Sequence, residues 1–173
     1  LYQELGNSDN ALEQYEIVVN LDPENLDAYF HIGEIHESFK RYQEASSAFQ
    51  EVVTINPEHV EGHVRLGWNY AKLKKPVEAW AEFQQALEIN PNLAGTFYKL
   101  GSTYGELGRF EEGLESLQKA FELNPNNLEV LLQLGKFNSI LGNYQEATEY
   151  FNKLLKIAPN NNEIGLLSGK SLV

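Results

Sequence analysis

Two residue types are absent from this 173-residue sequence, which contains no cysteine and no methionine. Without cysteine the chain cannot form a disulfide, a thiol nucleophile or a thiolate metal site. It also has no run of about 18 or more apolar residues, the length that a membrane-spanning helix needs, so direct membrane insertion is excluded. These absences do not identify a compartment, and a cytoplasmic location is our expectation.

Basic residues are also scarce in this sequence. It has 13 lysines and arginines against 25 aspartates and glutamates, which gives a net charge of −12. A phosphate backbone would be repelled by such a chain unless its basic residues were concentrated on one face, so nucleic acid is not an expected partner. The hydrophobic share of 42% and the charged share of 22% are typical of a folded globular chain rather than a disordered one.

Four kinds of residue recur at intervals of 34 positions along the sequence. The prolines of this series are Pro23, Pro57, Pro91, Pro125 and Pro159. The glycines are Gly33, Gly67, Gly101, Gly135 and Gly169. Small residues recur as Ala11, Ala45, Ala79, Gly113 and Ala147, and bulky ones as Tyr15, Phe49, Phe83, Leu117 and Phe151. A shared period of this length indicates a structural repeat.

Each repeat carries two apolar patterns at helical spacing, and these predict two helices of about three to four turns. Lys40–Arg41 separates the two patterns in one repeat, and Gly108 and Gly142 hold the same place later, where glycine suits a helix C-terminal cap. A residue before proline avoids helical geometry. The second helices are therefore predicted to stop at Asp22, Asn56, Asn90, Asn124 and Ala158.

The order of residues within a repeat resembles that of the tetratricopeptide repeat (TPR) family over essentially the whole chain. One repeat reads Phe97, Leu100, Gly101, Tyr104, Gly108, Phe110, Gly113, Leu117, Ala120, Pro125. The resemblance implies an all-α fold, a right-handed α-solenoid of antiparallel helix pairs known as the TPR superhelix. The departures from the family pattern are His36 and Asn138 for tyrosine, Lys40 and Lys74 for glycine, and Pro76 at the start of a second helix.

The register divides residues 1–173 into a single array with partial repeats at both ends. The full repeats are 26–59, 60–93, 94–127 and 128–161, between a partial repeat 1–25 and a partial repeat or capping helix 162–173. Residues 1 to about 6 are predicted to be the tail of a first helix. Because the chain begins and ends inside a repeat and does not begin with methionine, we expect it to be a piece of a longer protein.

Candidates for catalysis or metal binding are weak in this sequence. His59 and His63 have the four-residue spacing of a metal pair, but an inter-repeat turn is predicted between them, and no third ligand follows at a recognisable spacing. We therefore predict no catalytic residue, no metal site and no cofactor. His36 stands at a tyrosine place of the family pattern, so a packing role is expected. Most glutamates fall on second helices, where they are expected to form a solvated outer face.

The resemblance implies that the first helices line a concave groove, which binds an extended peptide or a partner helix. The fifth, sixth and ninth places, which would face this groove, hold four basic residues and one acid, namely Arg65, Lys99, Lys136, Lys170 and Glu34. Glutamates occupy most of the flanking places, beside Lys72. A protein or peptide ligand with carboxylates and apolar anchors would suit them. The predicted groove residues are Phe30, His31, Glu34, Arg65, Trp68, Lys72, Tyr98, Lys99, Ser102, Gln133 and Lys136.

The sequence leaves alternatives open for both the residues and the function. The basic residues could instead pair with glutamates on neighbouring helices, and Trp68 or Tyr98 could pack between repeats. The first functional hypothesis is a non-catalytic protein-interaction scaffold. The second is the substrate-recruiting part of a larger enzyme, and the third is self-association through the terminal helices around Leu1, Tyr2, Leu166 and Val173.

Overall fold

The computed structural model describes residues 2–158, and side chains from residue 9 to residue 158. Within that range the chain contains nine α-helices and no β-strand. The helices are α1 (Tyr2–Leu21), α2 (Leu26–Ser38), α3 (Tyr42–Ile55), α4 (Val60–Lys72), α5 (Pro76–Ile89), α6 (Ala94–Glu106), α7 (Phe110–Leu123), α8 (Leu128–Ile140) and α9 (Tyr144–Ile157).

The helices belong to two compact units, residues 1–89 and residues 90–173. In the first unit α2 packs on α3 and α4 packs on α5, and α1 and α3 contact the first helix of the pair that follows them. In the second unit α6 packs on α7, α8 packs on α9, and α7 contacts α8. Each unit is therefore built from sequential helix pairs, in which one pair covers an apolar face that the previous pair leaves exposed.

The second helices stop where the proline positions predict. Each second helix ends at the residue immediately before the predicted stop, which is Asp22 for α1, Asn56 for α3, Asn90 for α5, Asn124 for α7 and Ala158 for α9. Several first helices begin with a side-chain cap that the sequence places directly before them. Asn25 Oδ1 accepts a hydrogen bond from the Ala28 amide at 3.0 Å, and Asn127 Oδ1 accepts one from the Val130 amide at 3.1 Å. Such caps satisfy amides that have no partner inside the helix.

The turn inside each full helix pair uses one residue in the left-handed backbone conformation. Gly108 and Gly142 hold this place with φ of 73° and 82°. Lys40 and Lys74 adopt the same conformation with φ of 58° and 59°, although lysine carries a Cβ atom that disfavours it. Lysine in place of glycine at these two positions therefore raises the conformational free energy of the turn but leaves its backbone conformation the same.

Close approach between the paired helices explains the glycine and bulky-residue series. A Cβ atom added at Gly33 would lie 2.6 Å from the Phe49 ring, and one at Gly67 would lie 2.8 Å from the Phe83 ring. Phe49 and Phe83 are almost fully buried. Burial of such a side chain contributes about 1.5–3 kcal/mol, so each glycine stabilises its pair by giving the ring its place.

The prediction for residues 1 to about 6 is wrong, because α1 runs without a break from Tyr2 to Leu21. Six residues form fewer than two helical turns, and a separate segment of that length would have to meet the cost of helix nucleation again. Continuing the existing helix adds one backbone hydrogen bond for each residue. The prediction for residues 162–173 lies outside the described residues.

Among the described residues, no helix has both the length and the apolar character that crossing a bilayer requires.

Candidate functional site

The predicted groove residues of the first unit lie on two first helices, α2 and α4. Glu34 on α2 meets Arg65 and Trp68 of α4 around one cavity of about 430 Å³. This cavity is open to solvent on one side and therefore suits one side chain of a larger ligand rather than an enclosed small molecule. The full lining of this cavity, called the α2–α4 pocket below, is Glu34, Glu37, Ser38, Lys40, Tyr42, Arg65 and Trp68.

Arg65 lies at the centre of an ion-pair cluster in this pocket. Its Nε donates a hydrogen bond to Glu61 Oε1 at 2.7 Å, and its Nη1 donates one to Glu37 Oε2 at 2.6 Å. Its Nη2 lies 3.6 Å from Glu34 Oε1. Three carboxylates therefore surround one guanidinium, so the alternative that a groove base pairs with glutamates is confirmed at Arg65. Burial lowers the pKa of Arg65, but the hydrogen bonds with Glu61 and Glu37 outweigh it and raise the pKa above its ordinary value.

A buried asparagine fixes one member of this cluster. Asn69 is 0% exposed, and its Nδ2 donates to Glu37 Oε1 at 2.7 Å and to the Arg65 carbonyl oxygen at 2.8 Å. Glu37 is thus held through both carboxylate oxygens, and its side chain is only 11% exposed. The pocket floor therefore consists of side chains with little rotational freedom.

Trp68 forms the aromatic wall of the α2–α4 pocket and is half-buried. The Lys72 ammonium lies 3.9 Å from the centroid of the Trp68 ring, which is the distance of a cation–π contact. Lys72 is itself exposed, on the last turn of α4. The pocket thus combines an aromatic face, a set of carboxylates and cationic side chains.

Two other predicted groove residues contact side chains of the protein itself. The Phe30 ring lies 5.4 Å from the Phe49 ring and 5.5 Å from the His59 ring, measured between centroids. His31 stacks on Tyr15 at 5.0 Å, and its Nδ1 lies 3.1 Å from Glu34 Oε2. Phe30 therefore belongs partly to the core, and His31 helps to orient Glu34 beside the α2–α4 pocket.

The remaining predicted groove residues lie on α6 and α8 of the second unit. Tyr98, Lys99 and Ser102 are half-buried on α6, and Gln133 and Lys136 are half-buried on α8. The Ser102 Oγ atom is buried without a hydrogen-bond partner. Their role as a ligand surface stays a prediction.

Sequence reasoning missed the role of Asn69 and treated Glu37 and Glu61 only as flanking charges. Glu37 and Asn69 are 32 residues apart, the separation between the twelfth place of one repeat and the tenth place of the next. Alignment of the tenth places of the full repeats would have revealed Asn69, because the other three are Ile35, Thr103 and Phe137. A polar amide among mostly apolar residues was the available signal.

The histidines have structural roles in the described part of the chain. His59 caps α4 by accepting a hydrogen bond from the Gly62 amide at 2.9 Å. His63 is buried, with Nδ1 2.7 Å from Glu82 Oε2 and Nε2 3.0 Å from the Pro57 carbonyl oxygen. No group of three histidines or carboxylates among the side chains of residues 9–158 is arranged to hold a metal ion.

The expected solvated acidic face is confirmed for most glutamates of the second helices. Glu82 is more buried, since its contact with His63 leaves its side chain 19% exposed. The exposed members include Glu44, Glu51, Glu78, Glu88, Glu115, Glu122, Glu146 and Glu149.

The negative charge is distributed unevenly between the two units. Residues 1–89 contain 16 acidic and 6 basic side chains, a net charge of −10. Residues 90–173 contain 9 acidic and 7 basic side chains, a net charge of −2. The α2–α4 pocket therefore lies in the strongly acidic unit.

Comparison with known proteins agrees with the repeat and with the helix pairs. Three family models described as Tetratricopeptide repeat match residues 1–60, 60–93 and 92–160. The chain belongs to the tetratricopeptide repeat family. Its fold is the all-α solenoid of helix pairs found in that family. No curated protein sequence matches this tetratricopeptide repeat chain.

Solved structures share this tetratricopeptide repeat fold at low sequence identity. The crystal structure of MamA is 22% identical with a TM-score of 0.86, and the match covers 93% of this chain and 94% of that chain. A MamA segment from Desulfovibrio magneticus RS-1 is 23% identical with a TM-score of 0.84, covering 92% and 90%. YrrB, described as a TPR protein with an unusual peptide-binding site, is 23% identical with a TM-score of 0.86, covering 97% and 86%.

Proposed function

We propose that this chain is a non-catalytic scaffold that binds an extended peptide or a helix of a partner protein on the first-helix faces of its repeats. The α2–α4 pocket is the observation that carries the proposal. It brings Glu34, Arg65 and Trp68 together at the surface of two rigid helices. Tetratricopeptide repeats are a protein-interaction fold, and YrrB is a member described as binding a peptide.

The construction of the pocket supports recognition of a ligand. The Arg65 and Asn69 side chains donate to the Glu37 carboxylate at 2.6 and 2.7 Å, and Asn69 also donates to the Arg65 carbonyl oxygen at 2.8 Å. Little side-chain entropy is therefore lost when a ligand binds beside them. Trp68 offers a large half-buried aromatic surface, and tryptophan is among the residues that contribute most to binding energy at interfaces. A preorganised polar floor beside an aromatic wall is suited to one side chain of a peptide.

The roles of the predicted groove residues change in this proposal. Trp68 is the apolar anchor of the first unit. Arg65 positions carboxylates rather than receiving a ligand carboxylate, because Glu34, Glu37 and Glu61 already neutralise it. Recognition of ligand carboxylates is assigned instead to Lys136 of the second unit.

Selection from a random peptide library tests this function directly. We expect the chain to select peptides, and Trp68→Ala to weaken their binding by at least about tenfold while retaining the helical circular dichroism spectrum. Val77→Ala is the matched control, because Val77 is 61% exposed on α5 and outside the pocket. Failure to select any binding peptide, or equal affinity of the Trp68 and Val77 variants, would contradict the proposal.

A further inference from the structure

One pair of equivalent positions is filled differently in the two units. In the second unit Gly105 and Phe137 are 32 residues apart, and the Phe137 ring occupies the space that a Cβ atom at Gly105 would need. In the first unit the same positions are Glu37 and Asn69, joined by a hydrogen bond of 2.7 Å. Apolar filling of such a position is generally as stable as a buried ionic network, or more stable. The polar pair therefore has the effect of holding the Glu37 carboxylate at the floor of the α2–α4 pocket.

The carboxylates around Arg65 exceed the charge that Arg65 supplies. Glu34, Glu37 and Glu61 bring three negative charges to one guanidinium. The Glu34 and Glu61 side chains remain 38% and 53% exposed, so their oxygens are accessible to a second cation. A carboxylate can accept several hydrogen bonds, and two carboxylates can share a planar guanidinium.

The aromatic wall already accepts a cation in this structure. The Lys72 ammonium lies 3.9 Å from the Trp68 centroid. Lys72 is exposed, and a long side chain at the surface gains little from such a contact. A cationic side chain of a ligand can therefore take the place of Lys72 at small cost. Lys40, also exposed at the pocket rim, can turn toward solvent in the same way.

The charge of the unit favours the same kind of ligand. Residues 1–89 carry a net charge of −10, whereas residues 90–173 carry −2. A field of this sign raises the local concentration of basic segments and repels acidic ones. The acidic ligand expected from the sequence is therefore disfavoured at this unit.

We propose that the α2–α4 pocket binds an arginine side chain of the partner's peptide segment. Arginine fits better than lysine, because its planar guanidinium can stack on Trp68 while it donates to Glu34, and both of these residues line the pocket. The inference rests on the proposed function, since it names the partner chemistry of the same pocket.

Titration with single amino-acid derivatives tests this without knowledge of the partner. The probe is N-acetyl-argininamide, and the matched control is N-acetyl-citrullinamide, which has nearly the same shape and no charge. The readout is the indole N–H signal of each of the two tryptophans in a proton–nitrogen correlation spectrum. We expect the arginine derivative to shift the Trp68 signal saturably and to leave Trp80 of α5 unchanged. Equal shifts with both derivatives, or no Trp68 shift at concentrations of tens of millimolar, would overturn the inference.

Two charge-neutral variants complete the experiment. Glu34→Gln is expected to lower the affinity for the arginine derivative by at least about fivefold, because it removes an accessible carboxylate from the pocket. Glu78→Gln, on the exposed face of α5, makes the same change in net charge and is expected to leave the affinity unaltered. The same loss in both variants would show a general field effect and would overturn the pocket assignment.

The peptide selection separates this inference from the proposed function. Enrichment of arginine, with loss of binding in Glu34→Gln, supports both. Selected peptides without a basic residue overturn the inference but leave the scaffold function in place. Failure to select any peptide contradicts the scaffold function, while the amide titration still reports whether the pocket accepts arginine.

Discussion

At the scale of the residue, Arg65 shows how neighbouring charges decide what a side chain can do for a ligand. A guanidinium with no carboxylate near it would attract a ligand carboxylate. With Glu61, Glu37 and Glu34 within 2.6–3.6 Å, Arg65 instead orders three acceptors at the edge of the α2–α4 pocket. Removing the Arg65 side chain would leave a partly buried cluster of like charges, so its effect on binding would be mixed with an effect on folding.

The left-handed lysines give a prediction about stability. Lys74 has a φ of 59° at the place where Gly108 has 73°, so Lys74→Gly removes a steric conflict without moving the turn. We expect this variant to raise the free energy of unfolding by about 0.5–1 kcal/mol, measured by urea denaturation. Lys74→Ala is the control, since it removes the same charge and keeps a Cβ atom. A gain in Lys74→Ala as large as in Lys74→Gly would attribute the effect to charge.

His36 gives a prediction about pH. Burial lowers the pKa of His36, assisted by Arg41 and opposed by Glu44 and Glu16. The unfolded chain then binds more protons than the folded chain below about pH 6.5, so the stability contribution is present above that pH and is lost as the pH falls through the folded pKa. We expect the melting temperature to fall less between neutral pH and about pH 5 in His36→Phe than in the unsubstituted chain. Parallel pH profiles of the two proteins would contradict this.

At the scale of the element, the contact between paired helices depends on the glycines of the first helices. Gly67 has the Phe83 ring at 2.8 Å and the Ala79 carbonyl oxygen at 3.2 Å from the position of an added Cβ. Gly67→Ala is expected to push α4 away from α5 and to lower the free energy of unfolding by about 1–3 kcal/mol, measured by denaturant unfolding.

Gly95→Ala is the matched control for this effect. Nothing lies within 4 Å of an added Cβ at Gly95, which is exposed near the start of α6. Alanine there is expected to be neutral or slightly stabilising, because it reduces the backbone freedom of the unfolded chain. Equal destabilisation at Gly67 and Gly95 would show that helix packing is not the cause.

The helices themselves could be predicted well from the sequence, for local reasons. Proline limits the residue before it, so the ends of α3 and α7 follow from Pro57 and Pro125. Glycine favours the left-handed turn, so the end of α6 follows from Gly108. The break predicted near residue 6 does not occur, because extending α1 avoids the cost of nucleating a separate short helix. A repeat register predicts where a helix break is allowed but not whether the break occurs.

At the scale of the whole molecule, the net charge of −12 is divided unequally between the two units. The first unit carries most of this charge and contains the α2–α4 pocket, whereas the second unit is nearly neutral. Counting charges only at the fifth, sixth and ninth places of the repeats gave a basic surface, because two of the three glutamates that reach Arg65 lie at other places. Glu37 comes from the preceding repeat and Glu61 from the preceding turn of α4. Such contacts depend on helix packing and side-chain rotamers, which a one-dimensional pattern does not contain.

The central claim is that a partner peptide binds to the first unit at the α2–α4 pocket. Chemical-shift mapping of a library-selected peptide on the isotope-labelled chain tests it most directly. The account predicts that the largest shifts occur at Glu34, Arg65 and Trp68, with little change at the exposed glutamates of α3 and α5. Largest shifts on the outer faces of α3 and α5, with Trp68 unchanged, would contradict the claim.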